Sequence, residues 1–492
     1  MSQIIISNLT FAYAGSYDNI FENLNLSLDS NWKLGLIGPN GRGKTTFLHL
    51  LQNKYPYKGS IVGMPQADYF PYHTDNNETN AMQIISTIAP DTELWQIKIE
   101  LGKLQTDEDI LFRPYHSLSG GEQTKLQLAA LLAQNSHFLL IDEPTNHLDL
   151  AGRQLVANYL KKQKSFIVVS HDRSFLDGCV DHILSLNKTA PEIQRGNFSS
   201  WLENKNSQDN FEFNKSEQLK KEISHLKQAA ERNTSWAIDL EKHKHGTRIS
   251  GVKASSGYLG AQAARMMKRA KTTEARIEKN IAQKELLLHN LEQTRQIKLI
   301  QLQPLSGMLV KAEHLSLYYN DRLVLSNLNF CLKTGQRLSV DGQNGCGKST
   351  LLKAVCAHNI KQNGLLKLKS GLVISYLPQT TSHLKGSLNN FAEQSSLDQS
   401  IFLALLRQMG FTRTQFEKAL ELYSEGQKKK VLLAKSLSER AHLYLWDEPL
   451  NYVDIFSRMQ IEELLLTYKP TMIFVEHDQT FSNKIATDYL HL

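Results

Sequence analysis

Strand-like patterns of buried and exposed positions open the chain, at Ile4-Ile5-Ile6 and Leu24-Asn-Leu26-Ser-Leu28. They return at Leu309-Val310 and from Leu325 to Leu332. A period of two marks strands with one buried face. Other runs are apolar throughout: Leu34-Gly-Leu36-Ile37, Phe138-Leu-Leu-Ile141 and Phe166-Ile-Val-Val169. Runs of that kind suit strands covered on both faces, as in a parallel sheet. Strands alternating with helical stretches predict an α/β fold. Between 204 and 303 the period changes. Leu219, Ile223, Leu226 and Ala230 recur at steps of 4, 3 and 4, and Ile277, Ile281, Leu288 and Leu291 continue the pattern, interrupted by Lys284. Proline is absent until Pro304, and glycine is confined to Gly246, Gly251, Gly257 and Gly260. This pattern predicts an antiparallel α-helical coiled-coil hairpin with a glycine-containing tip. Each arm of about 40 residues would reach roughly 50–60 Å.

The sequence flanking this segment is a repeat. Gly38-Pro-Asn-Gly-Arg-Gly-Lys44-Thr45 returns as Gly342-Gln-Asn-Gly-Cys-Gly-Lys348-Ser349. Ile141-Asp142-Glu143-Pro144 returns as Trp446-Asp447-Glu448-Pro449, and Ser170-His171-Asp172 as Glu476-His477-Asp478. The spacing is kept: Lys44 to Ser119 is 75 positions and Lys348 to Ser424 is 76. The expected organisation is therefore a first domain over 1–203, a linker over 204–303 and a second domain over 304–492.

The repeated motifs carry phosphate chemistry. A Gly-x-x-x-x-Gly-Lys-Thr/Ser loop aims backbone N–H groups into one cavity and starts a helix whose positive end faces the anion. In this reading Gly38, Asn40, Gly41, Gly43, Lys44, Thr45 and Thr46 bind one nucleotide, and Gly342, Asn344, Gly345, Gly347, Lys348, Ser349 and Thr350 bind another. Thr45 with Asp142, and Ser349 with Asp447, would hold Mg²⁺. Glu143 and Glu448 are placed to orient the attacking water, and His171 and His477 to contact the γ-phosphate. Tyr376-Leu-Pro-Gln379 matches Tyr69-Phe-Pro-Tyr72, so the first half has Tyr72 where the second has Gln379, with Gln66 nearby. Tyr13 in the first half, and Tyr318 or Tyr319 in the second, are either adenine-stacking or strand aromatics.

Composition narrows the class. No run of 18 apolar residues is present, which predicts no membrane span. The N-terminal Met1-Ser-Gln-Ile-Ile-Ile reads as a strand and not as a signal peptide. The four cysteines have no Cys-x-x-Cys spacing, so the reducing cytoplasm is the expected compartment. The formal charge is +7, and residues 204–303 alone carry 19 Lys and Arg against 11 Asp and Glu. The whole positive excess therefore sits in the linker. From Lys242 to Lys271 eight basic residues occur with no acidic one, a polyanion-binding pattern that suits nucleic-acid phosphates. Lys242, Lys244, Arg248, Lys253, Arg265, Lys268 and Arg269 are the candidate contacts, with Tyr258 and Leu259 adding apolar or stacking surface.

Leu118-Ser119-Gly120-Gly121-Glu122 precedes a Leu- and Ala-rich helix and resembles the signature of ABC ATPases. In that family the two domains dimerise head to tail. The resemblance implies that Ser119, Gly120, Gly121 and Glu122 cap nucleotide held by Lys348. Ser424, Gly426 and Gln427 would likewise cap nucleotide held by Lys44. The same resemblance implies a metal contact for the glutamine at position 379, Gln379. The second signature reads Tyr423-Ser-Glu-Gly-Gln427, and Glu425 is expected to bring an extra carboxylate near phosphate. With both glutamates present, two hydrolytic sites of unequal rate are expected. Two such domains, a basic helical linker and no membrane segment resemble the ABC-F family over essentially the whole chain. More narrowly, Asn31-Trp32-Lys33-Leu-Gly-Leu-Ile, Asn40-Gly-Arg-Gly-Lys-Thr-Thr46, Leu148-Asp-Leu-Ala-Gly-Arg153 and Gly260-Ala-Gln-Ala-Ala-Arg-Met-Met-Lys-Arg269 resemble the Lsa branch of its antibiotic-resistance members.

The resemblance implies ATP and Mg²⁺ as cofactors and a monomer whose two domains form an intramolecular dimer. It implies the 70S ribosome as partner, with 23S rRNA and the peptidyl-site tRNA, and no membrane. The protein would enter the exit site and displace that tRNA with its linker. Lincosamides, pleuromutilins and group A streptogramins would then be dislodged from the peptidyl-transferase centre. Three other readings share the ATPase motifs: a housekeeping factor for stalled ribosomes, the ATPase subunit of a drug exporter, and a DNA-repair ATPase.

Overall fold

The fully apolar runs become central strands of two parallel sheets in the computed structural model. It describes residues 3–13, 19–72, 80–134, 138–146, 148–186, 191–243, 268, 272, 299, 302–303, 305–319, 322–343, 345–356 and 360–492. In the first domain Lys33–Ile37 lies between Phe166–Val169 and His182–Leu186, and Phe138–Asp142 lies between Phe166–Val169 and Ala67–Phe70. These pairs are parallel, and Pro191–Arg195 adds an antiparallel edge. Every residue of Phe138–Asp142 and Phe166–Val169 is buried, as continuous apolar runs require. The second domain repeats the order with Ile374–Leu377, Leu443–Asp447, Met472–Val475, Arg337–Asp341 and Asp488–His491.

The patterned strands pair separately. Gln3–Phe11 pairs antiparallel with Phe21–Asp29 and Lys58–Val62, and Met308–Tyr319 with Arg322–Lys333 and Lys361–Leu368. Ile4, Ile6, Leu24, Leu26 and Leu28 face the first core. The repeat extends to irregularities that no motif announces. Asn8 and His314 both take left-handed backbone angles (φ 50° and 47°) where the register shifts. Their carbonyls lie where side chains at Gly59 and Gly364 would have to sit.

The chain divides into two compact units, Met1–Trp201 with Gln296–Leu492, and Leu202–Arg295. Leu299 is buried in the helical core of the second domain, together with Leu377, Phe402 and Val431. The helix Phe198–His243 carries the first arm of the expected hairpin. Phe198 and Trp201 at its start are buried, and Trp201 meets Phe456 edge-on at 6.0 Å. The glycine tip and the second arm lie outside the described residues, apart from Lys268 and Thr272, both helical.

The two ATPase-like domains meet through matching parts. Ser174 and Thr480, three residues after the two motif histidines, share a hydrogen bond of 3.1 Å. Beside them Arg173 donates to both oxygens of Glu462, at 2.5 and 3.2 Å, and Lys484 donates to the same carboxylate at 3.0 Å. Arg173 and Glu462 are both buried. In the pseudo-symmetric position the residues are Gln479 and Ala157, so this pair has no counterpart.

Removing one member of a buried ion pair strands the other charge at a cost of about 3–5 kcal/mol. Glu462→Ala should therefore lower the denaturation midpoint markedly, and Arg173→Met combined with Glu462→Leu should recover most of the loss. Equal stability of the single and double variants would show that the pair does not hold the interface.

Candidate active sites

Each phosphate loop is shaped by a glycine that no other residue can replace. Gly43 and Gly347 precede the helices Lys44–Leu51 and Lys348–Val355 with φ of 80° and 107°. A side chain at either would collide with the strand beneath, with Ile20 and Phe21 or with Val324 and Leu325. These turns leave the first N–H groups of each helix facing the loop. Both lysines are buried and fold over their own loops: Lys44 Nζ donates to the carbonyls of Gly38 (2.8 Å) and Pro39 (3.2 Å), Lys348 Nζ to those of Gly342 (2.7 Å) and Gln343 (3.0 Å).

At the other wall, Thr45 Oγ1 donates to Asp142 Oδ2 at 2.6 Å, and Ser349 bonds Asp447 in the same way. Asp447 Oδ1 is buried without a hydrogen-bond partner. Burial raises both aspartates above the ordinary carboxylate range. The following glutamates adopt left-handed backbone angles, φ 51° at Glu143 and 47° at Glu448. Each stays tied to the neighbouring strand by its N–H, Glu143 to Val169 O at 2.9 Å and Glu448 to Val475 O at 3.0 Å. His171 Nε2 stands 3.3 Å from Glu143 Oε1, and His477 Nε2 3.5 Å from Glu448 Oε1.

The two glutamates differ electrostatically. Burial, reinforced by Asp142, pushes Glu143 up to about 8 against the pull of Lys44 and Arg458. Neither of its oxygens accepts a well-aligned hydrogen bond. Burial also opposes ionisation of Glu448, but hydrogen bonds from His477 and Gln379 and the charge of Lys429 outweigh it, and Glu448 lies below its ordinary value. Gln379 Nε2 donates to Glu448 Oε2 at 2.8 Å, and Asn451 Nδ2 to the same oxygen at 2.6 Å. Burial and the nearby Lys44 hold His171 in its neutral form.

The first site also contains the second domain. Asn40 Nδ2 donates to Tyr452 O at 2.9 Å, and Asn40 Oδ1 lies 3.2 Å from His171 Nε2. Gly426 is packed so closely here that an added Cβ would lie 2.8 Å from Asn40 Nδ2. The second signature therefore adjoins the first phosphate loop. Ser119 and Ser424 cap the helices Gly120–Ala133 and Glu425–Ser438 through reciprocal bonds with Glu122 and Gln427. The local structure of each signature is thus a helix-start turn.

Some expected contacts differ. The carboxylate of Glu425 does not hang free: it accepts from Thr381 Oγ1 at 2.5 Å and from Lys428 Nζ at 3.0 Å. Tyr72 is held by its backbone, which exchanges hydrogen bonds with the Gln127 amide at 2.9 and 3.0 Å. Gln66 is exposed. The side chain that meets Asp142 is Tyr69, whose hydroxyl donates to Oδ2 at 3.1 Å. Tyr13 lies beyond the strand, half-exposed and edge-on to Phe11 and Tyr55, with its hydroxyl 2.9 Å from Thr46 Oγ1. Tyr319 is exposed. Gly38, Gly41, Gly345, Gly121 and Thr350 fall in these loops and helix starts. Asn344 lies outside the described residues, as do Lys244, Arg248, Lys253, Tyr258, Leu259, Arg265, Arg269 and the side chain of Lys242. Lys268 is exposed.

Sequence patterns did not single out Tyr69, Glu476 or Lys429. Glu476 is buried and accepts from the backbone N–H of Leu450 (3.1 Å) and His477 (2.9 Å). Its only signal was the departure from Ser170 within an otherwise repeated motif.

A family model described as ABC transporter matches residues 21–146 and 325–451. The chain is 27% identical over 494 residues to ribosome protection protein VmlR of Bacillus subtilis, covering 99% of this chain and 86% of that protein. It is 28% identical over 512 residues to ATP-binding protein Uup of Buchnera aphidicola, covering 99% and 80%. Among solved structures, the complex of archaeal ribosomal stalk protein aP1 with ribosome recycling factor aABCE1 shares the fold. Its TM-score is 0.60 at 18% identity, covering 96% of this chain and 84% of that one.

The opposite shifts of the two glutamates predict opposite effects on nucleotide-free stability. A raised carboxyl weakens the fold as pH climbs from its ordinary value, about 4.5, to the raised one, about 8. Glu143→Gln should thus gain thermal stability over the parent across that window and level off above it. Glu448 contributes stability above its ordinary range, and Glu448→Gln should cost most at neutral pH and least in acid. Melting curves at pH 5, 7 and 8.5 test both. A pH-independent offset for Glu143→Gln would remove the assigned burial effect.

Proposed function

The chain belongs to the ABC family of ATPases, of the F type, and from that premise we propose that it couples ATP hydrolysis to binding and release of the ribosome. The observation that carries this reading is the alignment with a ribosome protection protein over 99% of the chain, linker included. The concentration of positive charge in that linker supports it further. Among the described residues no helix is long and apolar enough to cross a membrane. Cytoplasmic residence and a monomer with an internal pair of ATPase domains are part of the proposal.

In the proposed cycle Lys44 and Lys348 exchange their loop carbonyls for the β- and γ-phosphates of ATP, beside the N–H groups at the helix starts. Ser424, Gly426 and Gln427 cap the nucleotide on the first loop, a role supported by the packing of Gly426 on Asn40. Ser119, Gly120, Gly121 and Glu122 do the same for the second. Thr45 with Asp142, and Ser349 with Asp447 and Gln379, would hold Mg²⁺. A hydroxyl beside a carboxylate suits a hard cation, and the unpartnered Asp447 Oδ1 offers it a free oxygen. When bound, the metal neutralises charge on the transferring phosphoryl group. Glu143 and Glu448 orient the attacking water, and His171 and His477 contact the γ-phosphate.

The closed form then fits the ribosomal exit site. The linker tip (Lys242, Lys244, Arg248, Lys253, Tyr258, Leu259, Arg265, Lys268 and Arg269) reaches 23S rRNA and displaces the peptidyl-site tRNA. Lincosamides, pleuromutilins and streptogramin A are thereby dislodged, and hydrolysis reopens the protein for release. The chain matches ATP-binding protein Uup over the same 99% of its length, and a second reading has the same cycle serve stalled ribosomes without drug.

The doubly substituted Glu143→Gln, Glu448→Gln protein should co-sediment with 70S ribosomes when ATP is present and stay free without it. Free protein in both conditions would defeat the ribosome reading. Expression of the parent chain in a sensitive host separates the two outcomes: raised tolerance to the three drug classes marks protection, and altered growth or elongation alone marks the housekeeping role.

A further inference from the structure

Lys429 is a buried lysine that the ATPase chemistry above does not use. It lies on the helix Glu425–Ser438, five residues past Ser424, and is 2% exposed. Its ammonium donates to Pro378 O at 3.2 Å and Glu448 O at 3.1 Å. Glu448, Glu476, Asp447 and Glu425 surround it electrostatically. A buried ammonium is costly unless it is paired in this way. The two carbonyls belong to the residue before Gln379 and to the catalytic glutamate itself, so Lys429 fixes the backbone on both sides of the Gln379–Glu448 hydrogen bond.

One helical turn earlier, Glu425 reaches the same segment through Thr381. Residues four apart share a helix face. Together they grip Pro378–Thr381 at both ends. At the start of the same helix, Gly426 packs against Asn40 of the first phosphate loop. A single rigid helix thus touches the first nucleotide site at its tip and the second site's water-orienting groups along its flank. The first domain has Gly120 and Thr124 at the corresponding positions. The glycine has no side chain, and threonine is too short and uncharged to repeat the lysine's contacts. Gln127 holds Tyr72 there instead.

We propose that Lys429 and Glu425 form a latch that positions Gln379 and Glu448 for hydrolysis at the second site and links that site to closure over the first. The latch acts through other residues: Lys429 is a positioning residue. The inference rests on the reading of Glu448 as a hydrolytic glutamate, and its test separates the two.

Hydrolysis is measured on the full chain carrying Glu143→Gln, where the second site alone turns over. Adding Lys429→Met, close in volume and apolar, should lower kcat roughly tenfold to a hundredfold, the scale of a misplaced reacting group, with KM for ATP little changed. Glu425→Gly alters an exposed position that the first domain already fills with glycine. It should lower kcat by a smaller factor without loss of fold. The same Lys429→Met in a Glu448→Gln chain reports the first site. Equal losses in both backgrounds would reveal a merely structural lysine and overturn the latch. So would an unchanged kcat in the Glu143→Gln background. Absence of hydrolysis in the Glu143→Gln parent would instead overturn the reading of the second site as hydrolytic, and the latch with it.

Discussion

The turn that follows Asp142 and Asp447 is the constraint on which both sites depend. Each aspartate ends a strand buried on both faces, and the next side chain must leave the sheet to reach the same cavity. A left-handed residue does this in one step, at a cost of roughly 1–3 kcal/mol for a residue with a side chain. The strain is held by the bond from each glutamate's N–H to the neighbouring strand, Val169 or Val475. That strand also delivers the histidine, so one ladder fixes the aspartate, glutamate and histidine together. In the phosphate loops, Gly43 and Gly347 have no room for a Cβ atom, because Ile20 and Phe21, or Val324 and Leu325, of the antiparallel sheet region lie against them.

Given one scaffold twice, the differences between the sites come from which charges are built around them. Glu143 sits among groups that leave its oxygens without aligned donors, and burial dominates. Glu448 has Gln379, Asn451 and His477 on its oxygens and Lys429 behind its backbone. Glu476 replaces the Ser170 that in the first site bonds Thr145 at 3.1 Å. A buried acid there is tolerated because two backbone N–H groups meet it and Arg458 lies close. The electrostatic difference between the two glutamates thus has a source other than Glu425, whose carboxylate is tied to Thr381.

Much of this was legible in the sequence because phosphate loops, strand-end carboxylates and helix caps are made from neighbouring residues. Fixed spacing is a consequence of their geometry. The parallel strands were legible for the same reason, since burial on both faces leaves an unbroken apolar run. The contacts that were not legible join residues far apart in the chain: Tyr69 to Asp142, Lys429 to Pro378, Arg173 to Glu462. A lysine in Gln427-Lys-Lys-Lys430 looks like a solvated charge run. The fold turns Lys429 onto the carbonyls of Pro378 and Glu448, and Lys430 onto Met409 O and Asp454. The register irregularities at Asn8 and His314 likewise carry no pattern until two strands are paired.

The interface between the domains explains why a site assembled from distant halves of the chain can still be well defined. Ser174 and Thr480 meet on the local two-fold relation, and contacts either side of it should occur in pairs. One does not: Arg173 finds Glu462, while the matching positions hold Gln479 and Ala157, which cannot form an ion pair. A buried charge pair placed off the axis makes the two sides of the interface energetically different, because its desolvation and its attraction belong to one side only. The cap over Asn40 and the helix that bears Lys429 belong to the domain that contributes Glu462. The asymmetry of the interface and the asymmetry of the groups around Glu448 thus both involve the second half of the molecule, through Glu462 and through Lys429.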